Sequence, residues 1–254
     1  MSCKLYDITL YYSAETHKEK EFTIRQNLVS DLYVSFLNNY KQKGTTRVSV
    51  TLKNEDHIVG YHGSILSVYA YFNEAAYWST SAIEQNQIIL DTVHRIAILC
   101  ADKYNWDKTV FQDAYLKVIA SGFIYKQEQK RKLSRDKKHQ AALLLQKNGA
   151  ITIISVQFYD EKSNLIRSTE LFRSFHADWF YSGIIKNNKW FNNREFGVYA
   201  RKEELIIKAS LYDLSAEIII TPGIHTREDI ERLFRRISYS ELDRPEYLKW
   251  IEGE

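Results

Sequence analysis

The sequence predicts an α+β fold, an antiparallel β-sheet or meander with a central helical hairpin and C-terminal helices. Three observations carry that reading. Apolar and polar residues alternate at Tyr6, Ile8, Leu10 and Tyr12, and again at Val48, Val50 and Leu52, the period of half-buried strands. Ile83, Leu90, Val93, Ala97, Cys100 and Tyr104 recur instead at helical spacing through the middle of the chain. Beyond Gln140, short alternating runs separated by turn-forming residues return the pattern to strands.

The N-terminal region opens with the strand of Ile8 and Leu10, and a second strand is expected near residues 21–25. Leu28, Leu32, Tyr33, Phe36, Leu37 and Tyr40 then share one helical face that ends before Gly44. Strands follow at Val48, Val50 and Leu52 and, after a turn at Gly60 and Gly63, at Leu66, Val68, Ala70 and Phe72. Ser81-Ala-Ile-Glu84 has the form of a capping box, in which Ser and Glu side chains satisfy the free N–H groups of a helix start. Within that helix Asp91 and Arg95 are spaced for an i,i+4 contact worth roughly 0.2–0.5 kcal/mol. Asn105-Trp106-Asp107 breaks the period, and Asp107 is placed to cap a second helix carrying Phe111, Ala114, Tyr115 and Val118 up to Gly122. A helical hairpin with a short corner results.

The stretch 126–139 holds seven Lys/Arg against Glu128 and Asp136, a local +5 in a chain of net charge +3. It reads as a solvated connection between two regions, 1–125 and 126–254, or as a link within one continuous domain. After it, Asn148-Gly149 is expected to form a two-residue hairpin turn, because both central positions of a type I′ turn need positive φ. Residues 160–164, DEKSN, make the next reversal. Asn187-Asn188, between Ile184-Ile185 and Trp190-Phe191, is expected to turn a further hairpin. Leu205, Ile207, Ala209 and Leu211, then Ile218 and Ile220, add two strands to an antiparallel meander. Past Pro222-Gly223, Thr226 to Asp229 is read as the cap of a helix running through Ile237, and Pro245 lies in the first turn of a last short helix.

Composition excludes more functions than it names. With 44% hydrophobic and 26% charged residues in 254, the chain has the balance of an ordinary globular protein. Two cysteines, Cys3 and Cys100, form no C-x-x-C spacing, so a disulfide framework and a zinc module are not expected. No run of eighteen apolar residues is present, and the polar N-terminus does not read as a signal peptide, so a cytoplasmic protein with no membrane partner is expected. The nine glycines form neither G-x-G-x-x-G nor a P-loop, and there is no G-x-S-x-G. No cofactor is called for.

Candidate sites are few. The stretch WFYSGIIKNNKWFNNREF (179–196) concentrates aromatic residues, and strand alternation sends Trp179 and Tyr181 to the face opposite Phe180. One face is expected in the core and the other in a protein interface, with Trp179, Tyr181, Trp190 and Phe191 as candidate anchors. Lys130, Arg131, Lys132, Lys137 and Lys138 are the candidates for a nucleic-acid-associated accessory protein, since phosphate contacts need clustered cations. His176 and Asp178, two apart on a strand, project to one side and are the candidates for a metal-dependent hydrolase. Two ligands fall short of the three or four that zinc takes, so no metal site is assigned. Glu55-Asp56-His57 and His62 read as a solvated loop, the five-residue spacing placing the two histidines on opposite faces of any continuous strand. His94, on the long helix one position from Val93, reads as a boundary histidine, and Cys100 on the apolar stripe as a structural thiol.

From residue 81 to 172 the order of features resembles a group of uncharacterised bacterial proteins associated with polymorphic-toxin immunity. The resemblance lies in the helix ILDTVHRIAILCADKYNWD, the corner NWD, the helix FQDAYLKVIASGFIY, the basic connector SRDKKHQA and the hairpin ISVQFYDEKSNLI. It implies a non-enzymatic protein that binds and neutralises a cognate toxin domain. It assigns no functional residue.

Overall fold

The computed structural model describes residues 2–13, 16–148, 151–175, 183–200 and 205–220. The chain divides into two compact units, Met1–Ile124 and Tyr125–Glu254. Both units combine α and β elements or β alone in layers consistent with the expected α+β class. The helices expected beyond residue 222 lie outside the described residues, as do His176, Asp178, Trp179, Phe180 and Tyr181.

In the first unit, β1 (Ser2–Lys4) pairs with β3 (Lys41–Lys43). A four-stranded sheet is built from β2 (Asp7–Tyr11), β4 (Arg47–Lys53), β6 (Ile65–Tyr71) and β5 (His57–His62), in that order. The expected antiparallel arrangement fails here: β2 and β4, and β4 and β6, run parallel, and β5 alone is antiparallel, at the edge. For β2 and β4 the physical reason is α1 (Thr16–Phe36), which carries the chain from one across to the other, whereas β4 and β6 run parallel because β5, between them in sequence, returns antiparallel at the edge. A helical crossover joins parallel strands, whereas alternation within a strand specifies its buried face and not its direction.

The strand expected near residues 21–25 is part of α1. Phe22, Gln26, Val29, Ser30, Tyr33 and Leu37 are buried at helical spacing, and two of them are polar, which blurs the apolar stripe. Those two are satisfied inside: Gln26 Oε1 accepts from the Leu10 backbone N–H at 3.2 Å, and Ser30 Oγ donates to the same oxygen at 3.4 Å. A buried amide thus links the helix to β2.

After the short α2 (Glu74–Trp78), the hairpin of α3 (Ala82–Tyr104) and α4 (Lys108–Ala120) follows expectation. Ser81 and Glu84 form the capping box, Asn105 ends α3 at φ 56, and Asp107 Oδ1 accepts from Thr109 N at 3.0 Å. Leu90, Val93, Ala97 and Cys100 are buried on the stripe, but Ile83 is 73% exposed in the first turn. Arg95 does not pair with Asp91. It bonds Asp56 at 2.8 Å and the Tyr71 carbonyl at 2.7 Å, while Asp91 accepts from Gln87 and Tyr115. Arg95 thus reaches out of α3 to Asp56 and Tyr71, and Asp91 is held by Gln87 within α3 and by Tyr115 of α4.

His94 sits where α1, α3 and α4 meet. Tyr33 Oη lies 3.0 Å from its Nδ1 and 3.2 Å from the Phe111 carbonyl, and the Tyr115 ring stands 4.6 Å from the imidazole. Burial depresses the His94 pKa below the ordinary histidine value, against opposing contributions from Gln112 and Asp91. Below about pH 6.5 the unfolded chain therefore takes up a proton that the folded chain resists, and stability falls until the folded-state pKa is passed. Chemical denaturation between neutral and mildly acidic pH is expected to show a smaller loss of stability for His94→Gln than for the wild type. An identical pH slope in the two proteins would rule out His94 as a contributor.

The second unit opens with β7 (Tyr125–Glu128), β8 (Lys132–Leu133), β9 (Gln140–Asn148), β10 (Ile151–Tyr159) and β11 (Leu165–Phe175), antiparallel in the order β11-β10-β9-β7, with β8 also on β9. The β9–β10 hairpin pairs Asn148 with Ile151, so Asn148 is the last paired residue and not the first of the turn. A second antiparallel sheet is the meander β12 (Asn188–Trp190), β13 (Glu195–Ala200), β14 (Leu205–Ser210) and β15 (Ala216–Ile220). The reversal expected at Asn187-Asn188 occurs one Asn-Asn pair later. Asn192 Oδ1 accepts from the N–H groups of Arg194 at 2.8 Å and Glu195 at 3.0 Å, which closes an Asx turn. Residues 183–185 are helical, and Ile184 and Ile185 are buried.

Candidate functional site

In the first unit β2, β4 and β6 each bury one set of alternate residues: Ile8 and Leu10, Val48 and Val50, and Leu66, Val68 and Ala70. Helices α1 and α3 pack against β2 and β6. The other set forms a face of different chemistry. Register places Tyr11 beside Thr51, Thr51 beside Tyr69, and Tyr69 beside His57, one row across all four strands. The next rung toward the carboxyl ends of β4 and β6 adds Lys53 beside Tyr71. Tyr11 and Tyr71 are each 48% exposed, and Tyr69 and Thr51 are half-buried. At the opposite end Arg47 and Asp7 close the face with an ion pair at 2.6 Å.

Where β2, β4 and β6 end, the face runs into a cleft of about 740 Å³, lined by Tyr11, Tyr12, Thr51, Lys53, Tyr71 and Glu74 among others. This is the position at which open parallel sheets generally bind ligands, outside the carboxyl ends of the strands. Beneath it the rings of Tyr12, Phe22, Phe72, Tyr77 and Trp78 pack together, with Tyr12 and Phe22 5.0 Å and Phe22 and Phe72 5.5 Å apart. These rings form an aromatic floor. The polar rim above it is available to a ligand.

His57 and His62 are exposed as expected, but they lie on β5 and not in a loop. A β-bulge between Ile58 and Gly60 shifts the register, so His57 faces Tyr69 and His62 faces Ile65, four residues apart on β6. The bulge restores to one face what the five-residue spacing had separated. Among the described residues no group of three or more His, Cys, Asp or Glu stands together as metal ligands would. Cys100 is buried, and burial pushes its thiol up to about 12, far from a reactive thiolate.

In the second unit the aromatic candidates separate. Trp190 is 8% exposed, with its ring 5.8 Å from Phe158 and 5.5 Å from Phe196, and its Nε1 donates to the Lys132 carbonyl at 2.9 Å. Its side chain is in the core. Phe191 is half-buried, with Lys189 Nζ 5.1 Å from its ring centroid. Trp179 and Tyr181 fall outside the described residues.

The basic stretch is folded onto β9 and is not a loose connection. Arg131 bonds Glu128 at 2.8 Å and lies 3.6 Å over the Tyr159 ring, and Lys132 Nζ donates to the Asn188 carbonyl at 2.6 Å. Lys130, Lys137 and Lys138 are exposed. Two of the five candidate cations are thus committed within the protein, and three project into solvent.

The sequence reading missed Tyr11, Tyr69 and Tyr71. The signal was present: these tyrosines occupy the alternate positions of strands whose apolar positions were used to find the strands. Attention to the buried half of the pattern hid the exposed half. Comparison of the chain with protein-family models, curated proteins and solved structures finds no match.

Proposed function

We propose that the chain is a protein-binding protein that meets its partner through the tyrosine-bearing face of the N-terminal sheet. The observation that carries this is the row Tyr11, Thr51, Tyr69 and His57, in register across four strands, with Tyr71 exposed beside it. Tyrosine supplies large contact area at little entropic cost and is enriched among interface anchors. Tyr77 shows the contrast, since it is fully buried and serves the core. The first unit carries twelve Lys/Arg against thirteen Asp/Glu, so it lacks the positive field that draws in a phosphate backbone. A stacking platform for single-stranded nucleic acid is therefore the weaker reading of the same face.

The resemblance of residues 81–172 to immunity-associated proteins supplies the partner class, a toxin domain that this chain neutralises by binding. The test is affinity capture from native cells at moderate and then high salt, using wild type and the Tyr69→Ala/Tyr71→Ala variant. A single stoichiometric protein that survives high salt with the wild type and is lost from the variant, at unchanged thermal unfolding, is the expected result. Retention of that protein by the variant would sink the assignment of the face. Nucleic acid that elutes as salt rises would move the function to Lys130, Lys137 and Lys138.

A further inference from the structure

The cleft at the carboxyl ends of β2, β4 and β6 carries a chemistry that the flat face beside it lacks. Its walls include the rings of Tyr11, Tyr12, Tyr71 and Phe72, and its charged groups are Glu19, Lys53 and Glu74. One carboxylate is already oriented. Trp78 Nε1 donates to Tyr12 Oη at 3.1 Å, and Tyr12 donates in turn to Glu74 Oε1. This relay fixes one oxygen of Glu74 as an acceptor and leaves the other to an incoming donor.

The charges also have a direction. Glu19 lies in the first turn of α1 and Glu74 in the first turn of α2, whereas Lys53 is the last residue of β4. A cation entering the cleft is drawn to the helical side and away from the end of β4. Two carboxylates against one ammonium disfavour a phosphate ligand, and ring faces carry the negative side of their quadrupole toward a cation. The chain uses the same attraction outside the cleft's lining: Lys18 Nζ sits 5.9 Å from the centroid of Trp78, the ring that starts the relay.

We infer that the cleft is a binding site for an alkylammonium group, the chemistry of a lysine side chain or of a free diamine. The ammonium donates to Glu74 and Glu19, and its methylene stem packs on the tyrosine rings. A volume of about 740 Å³ accommodates the stem together with the head. This site goes beyond the proposed protein interface: the two share Tyr11, Thr51 and Tyr71, and Tyr69, which belongs to the open face and is not among the cleft's lining residues, tells them apart.

The test is a titration of the full chain, followed by two-dimensional amide NMR, with Nα-acetyl-lysine amide, cadaverine and the uncharged Nα-acetyl-norleucine amide as probes. The charged probes are expected to shift the Trp78 indole N–H and the amides of residues 51–54 and 71–74, while the norleucine amide leaves them in place. Glu74→Gln should weaken binding about ten- to a hundredfold, the loss of one charge-assisted hydrogen bond. Tyr12→Phe, which breaks the relay but keeps the ring, should weaken it less, and Tyr69→Ala should not change it. Binding of the lysine amide assigns the ligand to a protein side chain, and binding of cadaverine alone assigns it to a free diamine. Equal shifts with the norleucine amide, no shifts with either cation, or wild-type affinity in Glu74→Gln would each overturn the inference.

Discussion

Replacement of Trp190 by alanine is expected to destabilise the second unit by about 3–5 kcal/mol, the usual cost of deleting a large aromatic side chain from a core. The indole is 8% exposed and stands between Phe158 on β10 and Phe196 on β13. It therefore ties the two sheets of this unit together through side-chain packing. Its Nε1 also donates to the Lys132 carbonyl at 2.9 Å, so alanine removes a hydrogen bond as well as leaving a cavity. Trp190→Phe should recover part of the packing and none of the hydrogen bond, and its loss should be correspondingly smaller. The measurement is urea denaturation followed by the fluorescence of the remaining tryptophans. Wild-type stability in Trp190→Ala, together with a lost protein partner, would return this residue to the interface.

The aromatic stretch 179–196 shows how far the sequence could be read. Trp190, expected as an interface anchor, is in the core with Phe196, while Trp179 and Tyr181 lie outside the described residues. The turn was misplaced because the stretch contains two Asn-Asn pairs with similar surroundings. Only the backbone hydrogen bonds accepted by Asn192 distinguish the pair that turns from Asn187-Asn188. Strand direction was hidden for a related reason. Ile8 and Leu10, and Val48 and Val50, announce buried faces, but the parallel pairing of β2 with β4 follows from an intervening helix whose stripe is interrupted by Gln26 and Ser30. The ends of the α3 and α4 helices were legible because their signals are local: a capping box, a left-handed Asn105 and an Asp107 cap. The candidate site was the least legible part. Its row of residues comes from four strands, and a single-residue bulge decides that His57 faces Tyr69.

Gly197→Ala is expected to cost about 3 kcal/mol, the upper part of the range for overpacking a well-filled site. Gly197 is the middle of β13, between Lys189 on β12 and Lys208 on β14. A Cβ there would strike the Ile207 carbonyl oxygen, and it would lie 2.5 Å from Lys208 Cα and 2.9 Å from Ile207 C. All three atoms are backbone, so no side-chain rotation relieves the clash. β14 would have to move away from β13. That movement strains five further register pairs and the bridge from Lys208 to Glu195, which is 3.0 Å long. Gly197 is not among the glycines with positive φ, so the effect is steric and does not arise from backbone conformation. Gly183 provides the control: a Cβ there meets nothing within 4 Å, and it lies in a helical turn. Gly183→Ala should therefore be neutral or slightly stabilising, by less than about 1 kcal/mol. Equal denaturation midpoints for the two alanine variants would show that β14 yields to the added methyl group, and that the close approach of the two strands does not limit stability.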